Sequence, residues 1–196
     1  HSAIQIGANV RTSSQMGNAD IHVLSLNETD ESGMFGALIA GVMRVHSRGE
    51  VKFDSVTRVG IATFNHLGDE RDRAAMRDAV RFAYEMASSQ SISHVASSLL
   101  SDANGTSAQW INDATDDEID EWSLQQLGAY SHAACSCAMG SSRNEMAVVN
   151  ERAEVIGYQN LWLCDASILP TLPRANTHVP VVMVANRVSE MLCEAL

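Results

Sequence analysis

Short apolar runs alternate with clusters of Gly, Ser, Asn and Asp over the first third of the chain, at residues 3–10, 21–26, 37–45, 50–53 and 59–64. Runs of this length bounded by turn formers are read as strands, and their short connections predict an antiparallel sheet. Ser47-Arg48-Gly49-Glu50, between the third and fourth runs, has the length and the glycine of a tight hairpin connection. The pattern changes at Asp69. Met76, Val80, Ala83 and Ala87 recur at i, i+4, i+7 and i+11, while Glu70, Arg71, Arg73 and Arg77 fall off that stripe. Residues 69–88 are therefore predicted to form one amphipathic helix over the sheet.

A second short helix is predicted at 92–100, followed by an Asp102-Ala103-Asn104-Gly105 turn. Thr115-Asp116-Asp117-Glu118 reads as a capping box with acids on the positive helix end, and Ile119, Trp122 and Leu127 suit a buried stripe ending at Gly128. That helix delivers the chain to Tyr130-Ser131-His132. Residues 147–150 and 160–164 read as short strands, the latter running into Asp165-Ala166-Ser167. From Pro180 the chain is helical, with Val184, Val188, Met191 and Ala195 on one face and Arg187 and Glu190 off it. The pattern predicts an α+β fold: a mostly antiparallel sheet with covering helices, and a C-terminal strand and helix. There is no internal repeat, low-complexity segment or dividing linker.

Composition narrows the functional classes. With 45% hydrophobic and 19% charged residues, 3 Pro and 12 Gly in 196 residues, the chain is an ordinary folded domain. Thirteen Lys and Arg against 24 Asp and Glu leave a net charge of −11. Such a chain repels phosphate backbones, so no nucleic acid and no anionic membrane surface is expected as a partner. Four cysteines are too few for a disulfide scaffold and match no zinc-finger spacing, and a reduced, cytoplasmic setting is the default. The most apolar run, 34–43, is too short for the ~20 residues of a membrane span, so no membrane span is expected. The chain opens His1-Ser2 without Met or signal-peptide character, and the expectation is an excised piece of a longer protein. Two Asn-x-Ser/Thr sequons, at Asn27 and Asn104, carry no weight without a secretory context.

Of seven histidines, His1, His22, His46, His66 and His94 read as structural or surface residues. His132 and His178 differ. His132 follows a helix end and precedes Ala133-Ala134-Cys135-Ser136-Cys137-Ala138-Met139-Gly140, whose small residues let backbone approach a ligand closely. His178 lies just before Pro180, at a helix N-terminus with unpaired N–H groups and a positive dipole end. A proton-transfer group beside an anion-stabilising helix end is a useful catalytic pair. His132, Cys135 and Cys137 could serve zinc, but they crowd three donors together without a clear fourth, and no metal is expected.

The ordered set His132–Gly140, Ala147-Val148-Val149-Asn150, Asn160 through Asp165-Ala166-Ser167 to Pro170-Thr171, and Asn176-Thr177-His178-Val179-Pro180 resembles the C-terminal signature of the glucose-methanol-choline (GMC) flavoprotein oxidoreductases. Ser47-Arg48-Gly49-Glu50-Val51, Phe64-Asn65-His66-Leu67 and the helix over 72–86 resemble the same family's substrate-domain region. The resemblance runs from about residue 37 onward.

The resemblance implies an FAD-dependent enzyme oxidising a small-molecule alcohol. The family's Gly-x-Gly-x-x-Gly pyrophosphate turn is absent from this sequence. The chain is therefore expected to be a C-terminal fragment lacking its N-terminal FAD-binding domain, inactive alone. Residues 1–131 would form the substrate-binding domain, and residues 132–196 would complete the FAD domain. His132 matches the principal active-site histidine and His178 the second position, occupied by His or Asn. One imidazole would take the hydroxyl proton while the adjacent carbon gives a hydride to flavin N5, and the other would orient the oxygen. Asp165, Ala166, His178, Val179 and Pro180 would contact the cofactor. Cys135 stands where the family usually has Gly. The same residues also admit a non-catalytic binding module, or cyanohydrin lyase chemistry on the same fold.

Overall fold

The computed structural model describes residues 3–11, 19–30, 33–94, 96–128 and 130–195; His1 and the side chain of Ala195 lie outside the described residues. The chain forms two compact units, one from the residues up to Arg48 together with Asn65–Gly128, the other from Gly49–Phe64 together with Ala129–Leu196. As the pattern of runs predicts, helices and antiparallel strands are mixed in an α+β fold.

In the first unit, β1 (Ala3–Val10), β2 (Ile21–Asp30) and β3 (Gly33–Val42) form one antiparallel sheet in that order. Ile21 is opposite Val10 on one side and Val42 on the other. Strand alternation turns Ile21 and Val23 to the same face, where both are buried with Val10, Leu38 and Ala40. The residues that cover this face come from α1 (Glu70–Ala87). Its first turn is capped by Asp69, whose carboxylate accepts from the Arg71 amide at 2.9 Å. An N-cap of this kind is worth about 1 kcal/mol.

The stripe Met76, Val80, Ala83, Ala87 accounts for only part of what α1 buries. Its buried residues are Asp72, Ala75, Ala79 and Val80, because the helix is packed on two sides. Ala79, Met76, Phe82 and Met86 join the sheet core. Val80, Met76 and Tyr84 join a second core around Ile111 and Ile119, which includes Trp110 and Trp122 in an edge-to-face pair 5.8 Å apart. Ile119 belongs to α3 (Asp116–Gln126), whose capping box is complete: the Glu118 amide donates to Thr115 Oγ1 at 3.3 Å, and the Thr115 amide donates to Glu118 Oε2 at 2.8 Å. Arg77 ties the helices together, with Nε 2.8 Å from Asp120 Oδ1 and Nη1 2.8 Å from Glu70 Oε1.

Three local expectations need correction. Residues 47–50 do not join paired strands, since β3 pairs with β2 while β4 (Glu50–Asp54) pairs with β5 (Val59–Thr63). The chain at 46–47 is captured by buried Asp72, which accepts from the amides of His46 (2.8 Å) and Ser47 (2.6 Å). Gly49 serves a close approach: a Cβ there would lie 2.0 Å from the Thr63 carbonyl oxygen, at the open end of the β4–β5 hairpin. The hairpin turn itself is at 55–58, where Asp54 accepts from the Val56 amide and the Thr57 hydroxyl and Arg58 takes φ +56°.

The helix expected at 92–100 is the single turn α2 (Gln90–Ser93), and Leu100 bridges to Ser107 in an extended pairing. Residues 147–150 and 160–164 form isolated bridges rather than strands: Val149 pairs with Met139 and with Val155, and Glu154 pairs with Trp162. Left-handed residues at Ala153 (φ +62°), Gly157 (φ +86°) and Asn160 (φ +55°) turn the chain too often for a longer ladder. The last element, α4 (His178–Ala195), starts two residues before Pro180. Val184, Val188 and Leu192 pack with Val149, Ala153 and Ile168 in the core of the second unit. Among the described residues no helix is long and apolar enough to cross a membrane.

Candidate active site

The second unit brings together residues 135–140, 147–149 and 166–168. Residues 135–140 turn at 135–137 and then lie between two neighbours. On one side the amides of Cys135, Cys137 and Met139 donate to the carbonyls of Ala166 (3.2 Å), Ser167 (3.0 Å) and Ile168 (2.9 Å). On the other, the Ala138 carbonyl accepts from the Val148 amide and the Gly140 amide donates to the Val149 carbonyl, both at 2.9 Å. The small residues of this run thus admit neighbouring chain on both sides: a Cβ on Gly140 would come within 3.0 Å of the Ala147 side chain.

Left-handed backbone brackets the histidine that leads into this run, with Ser131 at φ +58° and Cys135 at φ +70°. Glycine adopts that region at no steric cost, whereas an L side chain there costs roughly 1–2 kcal/mol. The Gly usual at position 135 in the resembled signature therefore has a conformational reason. Cys135 adopts the same turn with strain.

His132 is half-buried between these two residues. Its ring stacks with Tyr130, centroids 6.1 Å apart and planes inclined by 28°. Burial pushes the Tyr130 phenol above its ordinary pKa, and its hydroxyl is buried without a hydrogen-bond partner among the described residues. Nδ1 of His132 lies 3.1 Å from Oγ1 of Thr177, a residue only 8% exposed. Thr177 precedes His178 directly, so this hydrogen bond joins the segment of the first candidate histidine to that of the second.

His178 and Val179 are exposed at the start of α4. The first bond of that helix runs from the Val181 amide to the Thr177 carbonyl at 2.9 Å. The amides of His178 and Val179 consequently have no acceptor within the helix, and Pro180 has no N–H to leave unpaired. This end offers two N–H donors and the positive end of an 18-residue helix. Asp165 caps the short turn Ala166–Ile168, accepting from the Ser167 amide at 2.7 Å, and Ser167 holds its carboxyl below the usual range. Among the described residues no group of three or more His, Cys, Asp or Glu is arranged to hold a metal.

Thr177 lies within a quoted motif and Tyr130 just before one, and the sequence assigned neither a role. With the helix read as starting at Pro180, nothing in the sequence placed Thr177 at its N-cap; the start at His178 does so, and Pro180 as third residue leaves its hydroxyl one fewer amide to accept from.

A GMC oxidoreductase family model matches residues 45–185. Over 155 residues the chain is 35% identical to an oxygen-dependent choline dehydrogenase of Vibrio vulnificus, covering 78% of this chain and 26% of that protein. It is 33% identical over 153 residues to an uncharacterized GMC-type oxidoreductase of Rhodococcus erythropolis, covering 77% and 28%. The chain thus spans about a quarter of the length of these relatives. Among solved structures, pyridoxine 4-oxidase from Mesorbium loti superposes with a TM-score of 0.78 at 21% identity, covering 94% of this chain and 36% of that one. A formate oxidase of Aspergillus oryzae gives 0.73 at 19% identity, covering 90% and 32%.

Proposed function

The chain belongs to the GMC oxidoreductase family, and from that premise we propose that it supplies the proton-handling part of an FAD-dependent oxidation of a small alcohol. In this reading it is a C-terminal piece of a longer enzyme, with residues 1–131 facing substrate and residues 132–196 completing a cofactor domain whose pyrophosphate turn lies outside the chain. The single observation that carries it is the 3.1 Å contact between His132 and Thr177, which ties the two candidate histidine segments to one place.

Members of the family are FAD-dependent, and the donors present suit that cofactor. The unpaired amides of His178 and Val179, at the positive end of α4, favour an electron-rich acceptor, and the Asp165–Ala166 turn adds backbone alongside. Held by these donors, the cofactor would supply the acceptor for the hydride that leaves the substrate carbon. His132 accepts the hydroxyl proton on its outward nitrogen, a role that a neutral imidazole performs near neutral pH. His178 directs the substrate oxygen. Tyr130 stacks on the His132 ring and limits its rotation.

The relatives named choline dehydrogenases make a cationic amino alcohol the first substrate to try, and a net charge of −11 favours the approach of a cation. The test is anaerobic stopped-flow reduction of flavin in the intact enzyme, normalised to bound flavin. His132→Ala should slow reduction by about 10²–10⁴-fold, the usual worth of general acid–base catalysis. His178→Asn should lose less, since an amide still bonds an oxygen but takes no proton. A His132→Ala variant reducing its flavin within a few-fold of the parent would end the assignment.

A further inference from the structure

We propose that Thr177 is a positioning residue that fixes which nitrogen of His132 carries the proton, keeping Nδ1 protonated and leaving the Nε2 lone pair for substrate. The proposal rests on the reading of His132 as the group that takes the hydroxyl proton. A neutral imidazole has one N–H and one lone pair, and the partner of one nitrogen decides what the other can do. The hydroxyl 3.1 Å from Nδ1 can donate or accept. If it donates, the ring proton sits on Nε2, and no lone pair faces outward. If it accepts, Nε2 is a base.

Two features of the fold favour acceptance. Thr177 occupies the N-cap of α4, since its carbonyl accepts from the Val181 amide. An N-cap hydroxyl ordinarily accepts from the amide of the second or third helical residue. Here the third helical residue is Pro180, which has none, and a lone pair of Oγ1 is left for Nδ1–H. Acceptance also serves both charge states of the ring. When the substrate O–H bond breaks and an Nε2–H bond forms, the imidazolium still donates from Nδ1, and Thr177 need not rotate. A donating hydroxyl would have to turn away as the ring became protonated. Thr177 is only 8% exposed and Tyr130 stacks on the His132 ring, and both disfavour a change of partner at Nδ1.

The tautomer is read directly by two-bond ¹H–¹⁵N correlation spectra of the ¹⁵N-histidine-labelled chain at about pH 9, above the ordinary imidazole pKa of about 6.5. Comparison with His132→Gln assigns the resonances. The expected result is the Nδ1–H form for His132 in the parent chain and in Thr177→Ser, with a shift to predominantly Nε2–H in the isosteric Thr177→Val. In the intact enzyme Thr177→Val should slow flavin reduction by about 10-fold and Thr177→Ser should restore most of it. An Nε2–H tautomer in the parent overturns the proposal without needing any variant, and so does a tautomer unchanged in Thr177→Val. Intact flavin reduction in His132→Ala would instead sink the catalytic reading, leaving the tautomer assignment standing, so the two failures are told apart.

Discussion

Asp72 fastens the first unit at the point where the chain passes from β3 to the hairpin, and replacing it should cost more than any surface change. Its carboxylate is 2% exposed and accepts from the His46 amide (2.8 Å), the Ser47 amide (2.6 Å) and the Ser47 hydroxyl. The same hydroxyl accepts from the Asp69 amide at 3.1 Å, which extends the network to the N-cap of α1. In Asp72→Ala both backbone donors lose their acceptor, each at about 1–3 kcal/mol when buried. Because His46 and Ser47 are half-buried and water reaches part of the site, the lower half of that range applies to each, for a loss of about 2–4 kcal/mol. Asp72→Asn keeps one carbonyl oxygen but sets an amide N–H₂ against donors, and should lose about 1–2 kcal/mol. Urea unfolding followed by tryptophan fluorescence measures the loss, since Trp110 and Trp122 lie in the core beside α1. Amide exchange at residues 46 and 47 localises it. If Asp72→Ala unfolds within about 0.5 kcal/mol of the parent, a typical surface effect, and exchange at 46 and 47 is unchanged, Asp72 does not hold this joint.

Cys135→Gly should stabilise the second unit by about 1 kcal/mol, the relief of a left-handed side chain less the added freedom of glycine in the unfolded chain, and thermal unfolding would show it. Equal or lower stability would mean that the Cys135 side chain contributes more than its backbone costs. Acid should weaken the first unit from about pH 4 downward: Asp69, Glu70 and Asp116 are held below the usual carboxylate range by Arg71, by Arg73 with Arg77, and by Arg81 respectively. Stability from a depressed carboxyl is complete above its unfolded pKa and lost as pH falls through the folded one, so Arg77→Met should flatten the decline in the window below about pH 4. Urea midpoints across that window decide it. The isolated 196-residue chain should bind FAD weakly or not at all, since on the proposed reading α4 and the Asp165–Ala166 turn would address only part of the cofactor. Stoichiometric yellow protein after gel filtration would refute this.

Where local chemistry alone decides an element, the sequence was enough to read it. Asp69 and the Thr115–Glu118 pair cap helices through side chains two or three residues from the amides they serve, and both helices begin there. Where the deciding partner is distant, local reading misplaced it. Ser47-Arg48-Gly49-Glu50 has turn chemistry, yet His46 and Ser47 are held by a carboxylate 25–26 residues away, and Gly49 is required by the backbone at Thr63. Nor does a single apolar stripe on α1 disclose that the helix is packed from two sides, since that depends on Ile111 and Ile119 arriving from later in the chain.

The site follows the same division. His132 and His178 were found as members of an ordered motif, but a motif orders residues along the chain and does not say which atoms meet. The contact that relates them belongs to Thr177, a residue type so common at helix starts that capping explains its presence. Only the fold shows its hydroxyl 3.1 Å from Nδ1 of a residue 45 positions earlier. Pro180 then takes on a second meaning. In the sequence it marks a helix start; in the structure it is the third residue of α4 and withholds one of the amides that would compete for the Thr177 oxygen, which leaves that oxygen available to His132.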